Sequence, residues 1–468
     1  MSLDRLQQIA AIEETTPGTL NTGVYAAAQA KHLIRNAAMG LDFPAYSRDI
    51  KRGTLTPLPP LAGAQRAKAT FSLELSGEAS SGIPPWDIFL RGSGMPRKTL
   101  RKITIGSVSG GPFRHGETIT QASTSATAIV FFDTHTGTTT LYVHTVTGSP
   151  NNSNIWTGGT SAAFATPSTV DTAAGYGWAP CDFPTVTVTY SGSDPAAGEV
   201  VTGATSGAIG IIDTIDTSGN VAKIRIYNAR MYSDGETLTA SSTGSIGTAS
   251  AIAQENMPAL SIAHYIDGRR VAMAGARGNV KLSGKVGEPV MMDFEFTGLY
   301  SANADASLLS GVTFPLKVPP VLLAATATLG TEGSTPSYAA RFSAFGLDLG
   351  HQLAYRVDAS ATSGDRETLI TGRAGSGTLD PELDLKASYA LLDNWANNTI
   401  ASLGFVVGST LGNKFQIQVP GARFTGDTEG ERAGVAVDNV QFALTGGSMS
   451  NVSSSPNERN DLLIAYLV

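Results

Sequence analysis

The chain has 468 residues, with 32 basic and 39 acidic side chains and a formal charge of −7. Charged residues are 15% of it, against about 25% in an average domain, and its 52 glycines imply many tight turns between short strands. This excludes a coiled coil, a polybasic nucleic-acid binder and, with Cys181 alone, a disulfide scaffold or cysteine zinc site, while the low charge suggests surface buried in an assembly.

Met1-Ser2-Leu3-Asp4-Arg5-Leu6 carries a charge pair and no long apolar run. No stretch is apolar for the length of a membrane span, so the expectation is a chain made and folded in a cytoplasm. Phe71, Leu73 and Leu75 alternate with Ser72, Glu74 and Ser76, the period of a half-buried strand. Basic residues crowd between Arg48 and Lys102, where there are four acids. Of these, Arg48, Lys51, Arg52, Arg97, Lys98, Arg101 and Lys102 form a candidate inter-subunit patch, and a solvated surface accounts for them equally well.

Between about Ile103 and Gln254 the texture changes to Ser, Thr, Gly and Ala without helical periodicity. Gly116-Glu117-Thr118-Ile119-Thr120 recurs as Gly198-Glu199-Val200-Val201-Thr202 and as Gly235-Glu236-Thr237-Leu238-Thr239, with a weaker copy starting at Ser153. Starts at 116 and 153, and again at 198 and 235, are 37 residues apart, so the region reads as two modules of two half-repeats each. The expected boundaries are 103–187 and 188–256, inserted into a discontinuous domain of residues 1–102 and 257–468. Residues 103–256 hold four basic and eleven acidic residues, so the acidity belongs to the insert and the remainder is balanced at 28 of each.

Beyond the insert, Val280 and Leu282 face Met292, Phe294 and Phe296 across a turn at 284–289, which predicts a long hairpin with one apolar and one polar face. Leu385, Tyr389, Leu392 and Trp395 fall at helical spacing and predict one packed helix over 382–395. Strands are expected around 415–419 and 437–444. The fold class is mainly β: a sandwich or barrel with one helix, interrupted by two small all-β repeat modules.

No chemistry-bearing constellation emerges. The six histidines lack metal-ligand spacing, the Asp213–Asn220 loop lacks the closing acid of a calcium site, and no Gly-Lys-Ser/Thr follows the glycine-rich stretches. No nucleophile elbow or carboxylate pair can be named. The expectation is a non-enzyme with no catalytic, metal-binding or cofactor-binding residues.

The stretch Ile12-Glu13-Glu14-Thr15-Thr16-Pro17-Gly18-Thr19 resembles the E-x-x-x-G-T opening of bacteriophage tail tube (major tail) proteins. The runs 71–78 with 84–91, 265–268 with 275–280, 294–298 and 408–414 are similar to that family in order and spacing. The insert departs from its basic pattern. The resemblance implies a homo-hexameric ring, stacked into a tube that conducts genomic DNA to the host. It also implies a place in the virion tail after assembly in the host cytoplasm, with a tape measure protein inside and terminator and distal tail proteins at the ends. Glu74, Lys281, Asp293 and Glu295 would then face the lumen. The modules would project outward, favouring a non-contractile, siphovirus-type tail, and would bind host-surface glycans or brace neighbouring rings. The other readings are a β-repeat surface adhesin, or another tail or baseplate protein binding host-surface glycans.

Overall fold

The computed structural model describes the chain except residues 1–5, 49, 52–55, 57, 79–81, 136, 183–184, 227–231, 255–256, 316, 333–337 and 447–460. The N-terminal part gives β1 (Gln7–Glu13), β2 (Ile34–Asp42), β3 (Ala45–Arg48), β4 (Leu58–Ala62), β5 (Arg66–Glu74), α1 (Asp87–Gly92) and β6 (Arg97–Ile105). The first repeat region gives β7 (Thr118–Gln121), β8 (Ala126–Val130), β9 (Thr140–Thr147), β10 (Trp156–Gly158), β11 (Phe164–Ala165) and β12 (Pro167–Trp178). The second gives β13 (Thr185–Thr189), β14 (Val200–Gly203), β15 (Ile209–Asp216), β16 (Val221–Ile226), β17 (Thr237–Ala240), β18 (Gly244–Thr248) and β19 (Ser250–Gln254). There follow β20 (Leu260–Ile266), β21 (Arg269–Lys285), β22 (Met291–Asp305), β23 (Thr326–Thr331), β24 (Tyr338–Ala340), β25 (Phe342–Asp348), β26 (His351–Val357), β27 (Asp365–Arg373) and β28 (Ser376–Pro381). The C-terminal part gives α2 (Leu391–Ala396), β29 (Ala401–Val407), β30 (Lys414–Gly426), β31 (Glu429–Arg432), β32 (Val435–Asp438), β33 (Val440–Leu444) and β34 (Leu463–Leu467).

The fold is mainly β, as the alternating patterns predict. Twenty-one strands join in one antiparallel network. One run of it is β2–β5–β22–β21–β25–β28–β33–β30. β30 then changes partners: its N-terminal half pairs with β29 and β34, and β34 leads through β12 into β6 and β9. Residues from both runs meet in one large core, where Phe71, Phe294 and Phe296 share a cluster with Phe405, Phe415 and Tyr466. Burying each such ring contributes roughly 1.5–3 kcal/mol, so the alternation of apolar residues dictates which strand faces turn inward. The network does not close into a barrel, for β2 pairs with β5 and has no second strand on its other edge among the described residues.

The two repeat regions differ in attachment. Strands β7 to β11 belong to the large network, and Phe131 and Phe132 pack with Leu100, Leu463 and Leu467 of the body. Residues 185–254 instead form a seven-stranded sheet of their own, ordered β18–β17–β14–β15–β16–β13–β19, around a separate core that includes Val186, Val201, Ile224 and Leu238.

The repeated glutamate has a structural role. Glu236 in the second half-repeat accepts from Thr205 N at 2.9 Å, Ser206 N at 2.8 Å and Ser206 Oγ at 2.8 Å in the first. Glu199 in the first accepts from Thr243 N at 3.2 Å and Thr243 Oγ1 at 2.8 Å in the second. Glu117 likewise accepts from Thr160 N at 2.9 Å and Ser161 N at 2.6 Å. A side chain at Gly158 or Gly203 would place its Cβ 2.5 Å from the Glu117 or Glu236 carboxylate, which explains glycine in both loops.

The expected helix over 382–395 is corrected. Only Leu391–Ala396 is α-helical, and Leu385 and Leu392 of its apolar stripe are 75% and 62% exposed. Ala390 has φ −83° and ψ 65°, which stops the helix from extending backward. Leu383 N bonds to Ala436 O, so the segment is tied down in extended form before a helix could start. A short helix without a packing surface is marginal, and of the stripe only Tyr389 packs, against the core and stacked on Tyr338, while Leu385 and Leu392 stay exposed. The packed helix is instead α1, whose Phe89 and Leu90 are fully buried.

Candidate functional site

The sheet β2–β5–β22–β21–β25 has one face in the core. Its other face carries the four lumen candidates together. One register row crosses all five strands as Arg35, Ser72, Asp293, Lys281 and Asp348. In neighbouring rows Glu74 stands opposite Met291, and Glu295 lies between Thr70 and Asn279. Strand side chains alternate between faces, so this grouping follows from register alone.

The charges on this face are paired. Arg35 lies 3.6 Å from Glu74, Lys68 lies 2.5 Å from Glu295, and Lys281 lies 2.9 Å from Asp348. Asp293 accepts from Ser72 Oγ at 2.5 Å. The hydrogen bond and charge of Asp348 hold the Lys281 ammonium above its ordinary range. Asp348 is lowered although burial opposes it, because Asn279, Lys281 and the Gly350 N–H all donate to it. Lys281, an apparent exception among acids, thus has a carboxylate partner on β25. Sequence reading did not place Arg35, Lys68 and Asp348 on this face, because strand pairing between distant segments is not written in local spacing.

Further along the same face the hairpin β26–β27 covers the sheet. Arg277 on β21 donates from Nη1 to Glu367 Oε2 at 2.7 Å and from Nε to Met257 O at 3.1 Å, with both side chains of the ion pair 4% exposed. Arg356 lies 3.4 Å from the other oxygen of Glu367. Arg66 on β5 donates to Asp365 at 2.8 Å and stacks its guanidinium over Tyr355 at 4.2 Å.

The N-terminal motif locks into this region. Glu13 pairs with Arg91 of α1. Glu14 turns inward and accepts from Gly18 N at 2.7 Å, Gly275 N at 2.7 Å and Ser261 Oγ at 2.8 Å. Gly18 has φ +82°, and a Cβ there would sit 1.8 Å from Arg366 O, so the E-x-x-x-G spacing is a buried clasp.

The basic stretch falls at separate places. Arg48 ends β3, whose hairpin with β4 is a two-stranded sheet of its own, and Lys51 is exposed beyond it. Arg52 lies outside the described residues. Arg97 is engaged within the chain, 2.5 Å from Asp87 and over Tyr176 at 5.8 Å. Lys98, Arg101 and Lys102 continue along β6, where Arg101 and Lys102, as successive strand residues, point to opposite faces.

Among the described residues there is no group of three or more His, Cys, Asp or Glu side chains suited to a metal. No helix among them is long and apolar enough to cross a membrane. No curated protein matches the chain. Residues 230–446 match the family described as phage tail tube protein. That span begins inside the second module and takes in β21, β22 and β25, three of the five strands of the polar face. Over this span, somewhat under half of the chain, the sequence is similar to the phage tail tube protein family.

Proposed function

We propose that copies of this structural tail protein close into hexameric rings, and that the rings stack into a tube conducting genomic DNA. The carrying observation is the five-stranded face of β2–β5–β22–β21–β25, apolar inside and polar outside, ending in an edge of β2 that no other strand of the described residues pairs with. An exposed strand edge invites pairing with another chain, and a closed ring of copies removes that edge. The polar face, with Glu74, Lys281, Asp293 and Glu295, lines the channel.

Residues 185–254, with their own sheet and core, project outward as a decoration module, whereas 118–165 act as part of the tube wall. An outward module fits a flexible, non-contractile tail, and many copies would give avidity to weak binding of a host-surface glycan. The partners are other copies of itself, a tape measure protein inside the tube and terminator and distal tail proteins at its ends. Assembly takes place in the host cytoplasm. Electron microscopy of the purified protein tests the reading: rings or tubes with an axial channel are expected, and monodisperse monomers at high concentration overturn it.

A further inference from the structure

Acids such as Glu74 and Glu295 on a channel wall would by charge alone repel DNA phosphates. Their geometry supports a different task. Glu74 sits against Arg35 and Glu295 against Lys68, each across a strand boundary. All four side chains are a third or more exposed, and such exposed pairs add little stability. Lys281 is matched to Asp348 in the same way. A cation on a DNA-facing wall is a phosphate contact, and each contact adds salt-sensitive affinity. A wall that held three unneutralised cations per copy, repeated along a tube, would grip the duplex.

Resting on the reading that this face lines the channel, we infer that its carboxylates act as internal counterions that keep Arg35, Lys68 and Lys281 from binding DNA backbone. The partner kept from adhering is double-stranded DNA, recognised through its phosphates. Strand register makes the arrangement possible: antiparallel neighbours bring opposite charges across from one another, so each cation meets an acid of its own chain before it meets a phosphate. The channel is then non-adhesive through local pairing, without needing a large negative charge, in keeping with the charge balance outside residues 103–256.

The test is a Glu74→Gln/Glu295→Gln double variant, compared with wild type for binding a fluorescent duplex of about 20 base pairs at low salt. The expected result is at least about tenfold tighter binding by the double variant, with the log–log salt slope steeper by about two, one for each freed cation. Adding Arg35→Gln and Lys68→Gln should return binding to the wild-type level. Binding no tighter than wild type overturns the inference, as does tighter binding that survives removal of the two cations. If the double variant does not fold, the single Glu295→Gln variant with its Lys68→Gln rescue gives the same test with a slope change of about one. Absence of rings or tubes from the wild-type protein would instead sink the tube reading, so the two failures are distinct.

Discussion

Glu117, in the first half-repeat of its region, and Glu236, in the second of its own, hold the same position of the repeated motif, and each carboxylate accepts two consecutive backbone N–H groups from the loop of the partner half-repeat. A charged acceptor meeting paired N–H donors makes hydrogen bonds about twice as strong as neutral ones. The most visible element of the repeat, Gly-Glu followed by alternating threonines, is therefore the bolt joining its two halves. The relation also explains why half-repeats come in pairs: the loop of one is completed by the glutamate of the other.

Glu236→Ala should destabilise residues 185–254 by about 1–3 kcal/mol, because the N–H groups of Thr205, Ser206 and Ser233 lose their acceptor. Burial pushes this carboxyl up, yet the bonds from Ser206, Ser233 and Thr205 together hold it below its ordinary value of 4.5. A lowered acid lends stability above its unfolded pKa and loses it as pH falls through the folded one. Urea unfolding should show a large difference between variant and wild type at neutral pH that shrinks in strong acid. A difference independent of pH would refute the carboxylate clasp.

Arg277→Met should be severely destabilising. It leaves the Glu367 carboxylate, 3% exposed, without its closest cation, and breaking a buried pair from one side costs about 3–5 kcal/mol. Replacing both partners with apolar residues should recover much of that loss. Thermal unfolding of the two variants checks this, and equal losses in both would argue against the pair as the fastening of β26–β27.

Deleting 185–254 with a short bridging loop should leave rings and tubes intact, since the segment has its own sheet and core. Deleting 118–165 should abolish soluble protein, because β9 pairs with β6, and Phe131 and Phe132 pack against the body. Electron microscopy of the first deletion and expression of the second provide the check. Tubes from both would mean that the first region is as separable as the second.

What could be read in the sequence was what two-residue periodicity and self-similarity encode. The expected facing of Val280 and Leu282 against Phe294 and Met292 is the observed register, and the 37-residue repeat became a pair of clasped halves. What could not be read was long-range pairing. Nothing near Lys281 in sequence announces Asp348, which arrives on a strand more than sixty residues later. The helix over 382–395 misled because spacing measures whether an apolar stripe is possible, while its folding depends on a surface to bury it. The crowding of basic residues along the sequence is not a crowding in space: Arg97 is engaged by Asp87, and neighbours along a strand point apart.

Glu14 gives the fold a pH dependence of opposite sign. Burial raises its carboxyl from 4.5 to about 7, against the bonds from Gly275, Ser261 and Gly18 and the charge of Arg277. Between those two values the folded chain holds a proton that the unfolded chain has released. The stability this gives is fully present below the unfolded value of 4.5 and is lost as pH climbs through about 7, a change of about 3 kcal/mol at most. Glu14→Gln keeps the shape and removes the titration. Urea midpoints measured from pH 4 to pH 8 should therefore fall for the wild type relative to the variant, with most of the divergence developing between the two pKa values. Parallel curves would show that the clasp at Gly18 and Gly275 holds an ionised carboxylate throughout.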